Sequence, residues 1–243
     1  MSLTFIVFLY SLKVILEKFG VKEYLPSDYE RWRVADIGGG DGTFSSILGS
    51  ALGLKRSIEC VEPVQEMTLQ ASKNENVIVL TKTGIAFVGE QNPNSIDRIL
   101  LKECIHHFPS EEVPVFWRGV YECLRPNGVC VVMTRPNDVR GEIPLFEAAF
   151  KVWSRNQPPT PKLIAPMTDA GLSVEIDRRH VKLKIPIDTW CSMIRSRFWS
   201  TFSSFTDAEL EDGIKEIREK HPVDADGKIE YCDTNIYITT TKK

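Results

Sequence analysis

The chain has 243 residues, 42% hydrophobic and 26% charged, with a net charge of −3, which are the proportions of an ordinary soluble domain able to bury a full core without staples. It carries no basic run of the kind that marks a nucleic-acid footprint, so no nucleic-acid partner is expected. Its six cysteines (Cys60, Cys104, Cys123, Cys130, Cys191 and Cys232) form no CxxC pair and mostly sit in apolar runs, as reduced buried thiols do in the cytoplasm; neither a metal site nor a disulfide framework is expected.

Residues 3–12, LTFIVFLYSL, are apolar enough for a signal-peptide core, but no basic stretch precedes them and no small-residue cleavage site follows. The run is too short to span a bilayer as a helix. Continued through KVILEKFG it becomes amphipathic and stops at Gly20, so the expectation is a packed helix in an N-terminal helical region over 1–30, with a membrane anchor as the alternative.

Short apolar runs then alternate with helical patterns. Strands are expected at 33–38, 57–63, 76–80, 95–105 and 129–135. Helices are expected at 43–52, at 63–73 with Pro63 near the first turn, and at 110–124 with Ser110 as cap. RPNG, 125–128, is a turn signal. This rhythm implies right-handed βαβ units and a mostly parallel sheet. Beyond Arg135 it changes: helices over 143–156 and 161–170, a long strand over 173–186, a mixed stretch, and a strand over 228–241, which suggests a partly antiparallel edge.

The stretch VADIGGGDGTFSSIL places Gly38, Gly39, Gly40 and Gly42 between the first strand and the first helix. Such a turn brings a ligand against bare backbone at a helix N-terminus. A dinucleotide site would read GxGxxG, but Thr43 stands at the last position, and Asp41 would repel a pyrophosphate; it suits a cationic ligand instead. Glu62, 26 positions after Asp36 at the end of the second strand, is placed to accept hydrogen bonds from ribose hydroxyls.

The pattern resembles the class I S-adenosylmethionine-dependent methyltransferases, in particular small-molecule members with a type 11-like domain. Their first motif, an acid followed by GxGxG, is matched by Asp36, Gly38, Gly40 and Gly42, with Gly39 and Asp41 inside it. The resemblance implies that Glu62 and Pro63 flank the ribose, that Lys102 and Glu103 border the cofactor, and that adenine rests near Thr83, Gly84 and Ile85, where the acid often found in the family is absent. Asp97 at the start of the fourth strand, the pair His106 and His107 after it, and the phrase LRPNG also match the family.

The implied fold is an α/β, Rossmann-like, doubly wound seven-stranded sheet, mostly parallel, with a small lid inserted before the last strand. A single methyltransferase domain over 1–243 is expected, with a cofactor-binding half at 31–140 and a substrate half at 141–243 that holds the lid at about 187–222. The implied activity is transfer of a methyl group from S-adenosylmethionine to oxygen or nitrogen of a small organic acceptor. His106 or His107 is a candidate proton acceptor, or both are structural. In the lid, Trp190 and Phe198 are candidates to shape the acceptor pocket or to form core. Arg195 and Arg197 are candidates to pair with an acceptor carboxylate. A non-catalytic methyltransferase-like binding or regulatory protein and, less favoured, an NAD(P)-dependent reductase stay open, as does the oligomeric state.

Overall fold

A computed structural model of the chain describes residues 3–21 and 29–242. Part of the N-terminal region expected to be helical over 1–30 therefore lies outside the described residues. The helix α1 spans Leu3–Lys18 and turns at Gly20, whose φ is +84°. Its Leu12 and Ile15, with Phe19 just past its end, are buried and share a core with Trp32, Phe44, Leu48 and Tyr237. Among the described residues, no helix is long and apolar enough to cross a membrane.

The core of the fold is an alternation. The strands β1 (Val34–Ile37) and β2 (Ile58–Val61) are buried at every position, and β4 (Ile96–Lys102) nearly so, as strands covered on both faces must be. The strand β3 (Val77–Leu80) is the more exposed outer neighbour of β2. Between them run α2 (Thr43–Leu52), α3 (Gln65–Ala71), α4 (Gly84–Gly89) and, after β4, α5 (Val113–Cys123). The strand β5 (Leu124–Thr134) pairs in parallel with β4, and β1 pairs in parallel with both β2 and β4. Past β5 come α6 (Glu147–Asn156), α7 (Thr160–Asp169), β6 (Ser173–Pro186), α8 (Ile187–Arg195), α9 (Asp207–Lys220) and β7 (Lys228–Thr241). The described strands form one sheet in the order β3-β2-β1-β4-β5-β7-β6, with β7 antiparallel to β5. This is the Rossmann-like α/β architecture expected, with its helical insertion between β6 and β7.

The chain divides into two compact units. One comprises Phe8–Thr134, Pro161–Asp177 and the residues from Ile236 onward; the other comprises Arg135–Thr160 and Arg178–Asn235 with the start of α1. The first unit holds the cores built on Ile99, Leu101, Phe116 and Trp117 and on Ile15, Phe19 and Tyr237. The second packs Trp153, Trp190, Phe146, Phe202 and Ile214 together.

Several local expectations are corrected. The helix after β4 starts at Val113 rather than Ser110, because Pro114 in its first turn sets the entry and Ser110 caps nothing. Pro63 precedes α3, whose first residue is Gln65. The RPNG stretch is absorbed into β5, with Asn127 in the left-handed region at φ +63°. No helix was expected at α4; Thr83 caps it, its Oγ1 accepting from the Ala86 N–H at 3.2 Å.

Candidate functional site

Gly38, Glu62, Thr83 and Glu103 each follow the carboxyl end of one parallel strand, and all four line a single cavity of about 750 Å³. It opens where the sheet order reverses, between β1 and β4, the place where open α/β sheets bind ligands. Its whole lining belongs to one compact unit. Of the residues expected to hold a cofactor, Gly38, Gly40, Glu62, Pro63, Thr83, Gly84, Ile85 and Glu103 line it; Asp36, Gly39, Asp41, Gly42 and Lys102 do not. His107 also lines it, and Ile37, Val64, Met67, Cys104, Phe108, Pro109 and Glu112, which were not anticipated, complete it. Ile37, Val64, Cys104 and Phe108 are within six residues of a strand's carboxyl end, a position that could have singled them out.

The four glycines serve different needs. Gly38, Gly40 and Gly42 have φ of +71°, +57° and +71°, the left-handed region that glycine adopts without strain. A Cβ on Gly38 would stand 2.5 Å from the Cys104 Cβ, one on Gly39 2.5 Å from the Cys60 sulfur, and one on Gly42 2.9 Å from the Ala71 Cβ. These three are closed by packing. A Cβ on Gly40 would meet only the Met67 terminal methyl, at 3.4 Å, so this glycine alone leaves space toward the cavity.

Carboxylates define the electrostatics. Asp36, at the base of the turn, is 1% exposed. Ser45 Oγ donates to its Oδ2 at 2.7 Å, and its Oδ1 is buried without a hydrogen-bond partner. Burial pushes its carboxyl up to about 6; the Ser45 bond and the Lys102 charge oppose the rise, and Glu62 adds to it. Glu62 bridges the turn: Gly40 N–H donates to Oε2 at 3.1 Å and Val64 N–H to Oε1 at 3.0 Å. Asp41 points away from that network, accepting from the Thr43 N–H at 3.0 Å in an exposed local turn. Lys102 lies with its ammonium 5.0 Å from the centre of the Phe44 ring. Burial pushes the Cys104 thiol well above its ordinary value, and it donates to the Ile37 carbonyl at 3.0 Å, so it is a packing group rather than a nucleophile.

The two histidines part company. Their rings lie 4.1 Å apart, but only His107 lines the cavity. Asp97 is structural: it accepts from the Arg33 N–H at 2.8 Å and from Arg125 Nη1 at 2.9 Å, tying the starts of β1, β4 and β5.

The lid candidates all fall in the other unit. Trp190 is buried there, donating from Nε1 to the Pro144 carbonyl at 2.9 Å and packing on Phe198 with ring centres 5.5 Å apart. Arg195 pairs with Glu211 through two hydrogen bonds of 2.6 and 2.9 Å. Arg197 donates to Asp207 at 2.7 Å and to the Phe205 carbonyl at 2.9 Å. Both guanidiniums are thus engaged within the insertion itself.

The cavity therefore offers an open backbone at Gly40, apolar walls, an acidic polar lining and, close by, a buried carboxylate oxygen lacking a partner. It suits a ligand that is partly flat and apolar, carries positive charge and bears no phosphate. Among the described residues, no three His, Cys, Asp or Glu side chains are grouped to hold a metal ion.

Residues 34–128 match the family described as Methyltransferase domain. No curated protein matches the chain. Among solved structures, the YcgJ protein of Bacillus subtilis is similar at 19% identity, with a TM-score of 0.64 over 96% of this chain and 98% of that one. Phosphoethanolamine N-methyltransferase 2 of Haemonchus contortus is similar in two complexes. The one with phosphomonomethylethanolamine and S-adenosylhomocysteine shows 16% identity and a TM-score of 0.59, and the one with S-adenosyl-L-methionine 17% and 0.60; each covers 96% of this chain and 53% of that one. At these identities the likeness is one of fold.

Proposed function

We propose that residues 34–128, which match the family described as Methyltransferase domain, form a class I S-adenosylmethionine-dependent methyltransferase domain, and that the protein transfers a methyl group to oxygen or nitrogen of a small organic acceptor. The observation that carries the reading is the single cavity bounded by the glycine turn, Glu62, Thr83–Ile85 and Glu103. Bound there, S-adenosylmethionine supplies a methyl group on a sulfonium leaving group, which needs alignment and exclusion of water more than a strong base. Glu62 holds the turn with two of its roughly four lone-pair positions and keeps the others for ribose hydroxyls. Gly84, Ile85 and Phe108 offer apolar surface to a flat ring, and Gly40 lets the ligand lie on backbone. His107, which lines the cavity as His106 does not, is the proton acceptor of this reading.

Calorimetric titration with S-adenosylmethionine and S-adenosylhomocysteine, with NAD and NADP as controls, tests the reading. Both sulfur ligands should bind, Gly40→Arg should abolish binding by filling the cavity, and Glu62→Ala should weaken it by about tenfold or more, as expected for loss of a charged hydrogen-bond acceptor. Tighter binding of NAD than of S-adenosylmethionine would replace the transferase by a reductase. Binding without turnover of any acceptor would leave a regulatory binding protein.

A further inference from the structure

Apart from one histidine and the buried Cys104 thiol, the titratable lining of the cavity is acidic. Glu62, Glu103 and Glu112 face it with His107, and among the described residues no lysine or arginine lines it. Glu62 is committed to the turn. Glu112 differs: it stands just before α5, exposed at the cavity wall, and its carboxylate makes no hydrogen bond or ion pair among the described residues. The two arginines that could have received an acceptor carboxylate are held by Glu211 and Asp207.

We propose that the acceptor is a small primary or secondary amine, held as its ammonium against Glu112 and methylated on nitrogen; this rests on the methyltransferase reading above. An acceptor bearing a carboxylate or phosphate would meet like charge here with no cation among the described lining residues to offset it, whereas an ammonium gains a charge-assisted hydrogen bond from the uncommitted carboxylate. At about 750 Å³ the cavity lies in the upper part of the range of about 300–1,000 Å³ for small-molecule sites, large enough for a cofactor and a small second ligand. The step balances. The ammonium gives its proton to His107 and thence to solvent; the freed nitrogen lone pair forms the N–C bond as the methyl C–S bond breaks, and that electron pair stays on sulfur, cancelling the sulfonium charge. The carboxylates that bind the ammonium also oppose its deprotonation, so kcat/KM rises with pH.

The experiment uses the full chain with S-adenosylmethionine, after its Kd has been measured. Benzylamine, tryptamine and N-methylbenzylamine are offered beside benzoate and phenol, with products identified by mass spectrometry. Methylated amines are expected, without methylation of benzoate or phenol. Glu112→Gln should raise the amine KM about tenfold, leave the Kd of S-adenosylmethionine within about twofold, and reduce the preference for amines over their neutral analogues. Cofactor binding with turnover of benzoate or phenol and none of the amines overturns the inference alone, as does an unchanged amine KM in the variant. Failure to bind the cofactor at all overturns the underlying reading and the inference with it.

Discussion

Asp36 sits in conflict with its surroundings: a carboxyl with one oxygen bonded to Ser45 and the other buried without a partner. Its pKa of about 6 lies above the ordinary value near 3.9, so the folded chain holds this proton more tightly than the unfolded one does. Its effect on stability is thus least costly below about pH 4 and grows as pH rises through 6, to about 3 kcal/mol at neutrality. Asp36→Asn keeps an oxygen for Ser45 and removes the titration. Its melting temperature relative to wild type should climb between pH 4.5 and 7.5; a constant difference across that range would show that Asp36 does not titrate there. The variant's buried amide adds a cost that is the same at every pH, so the slope is the readout. This residue was legible as part of a motif, but not its energetics: the string VADIG does not reveal that Ser45 is its partner and Oδ1 has none.

Among the elements, α9 shows how far local sequence reaches. The T-D-A-E spacing predicts a capping box, and the structure has both halves: the Glu209 N–H donates to Thr206 Oγ1 at 3.3 Å, and the Thr206 N–H donates to Glu209 Oε2 at 2.7 Å. Thr206→Ala should lower stability by about 1 kcal/mol in denaturant titration, and Thr206→Ser should restore most of it. A loss below about 0.3 kcal/mol would mean that the exposed cap competes no better than water does. The strands β1, β2 and β4 were also legible, since burial on both faces favours runs that are largely apolar, and so was the part of β5 that follows the RPNG stretch. The helix α4 was not, because Gly84–Gly89 carries glycine at both ends and reads as loop. Gly84 is there for another reason: a Cβ would stand 2.7 Å from the Ile37 side chain. The site was half legible for the same kind of reason. The glycine turn and Glu62 announce themselves by spacing, whereas Glu112 lines the cavity from the position just before α5, which no spacing in the sequence marks. The roles expected of Arg195 and Arg197 depended on partners 16 and 10 positions away that no periodicity identifies.

At the scale of the whole molecule, the division into two units has a measurable consequence. Every residue lining the cavity belongs to the unit built on Phe8–Thr134. Hydrogen exchange with and without S-adenosylmethionine should therefore show the largest added protection in peptides covering 38–42, 62–67, 83–87 and 103–112. Protection centred on α8 and α9 instead would move the ligand out of this cavity. The sheet order carries a further implication, for synthesis. The strand β7 follows β6 in the chain yet lies between β5 and β6 in the sheet. As the chain leaves the ribosome, β1 to β5 can assemble in the order they emerge, but β6 has no neighbour to join until residues 228–241 are made. For that interval the nascent chain exposes β5 as an open edge and β6 as an unpaired strand, the state in which β-rich chains most readily engage a chaperone or one another.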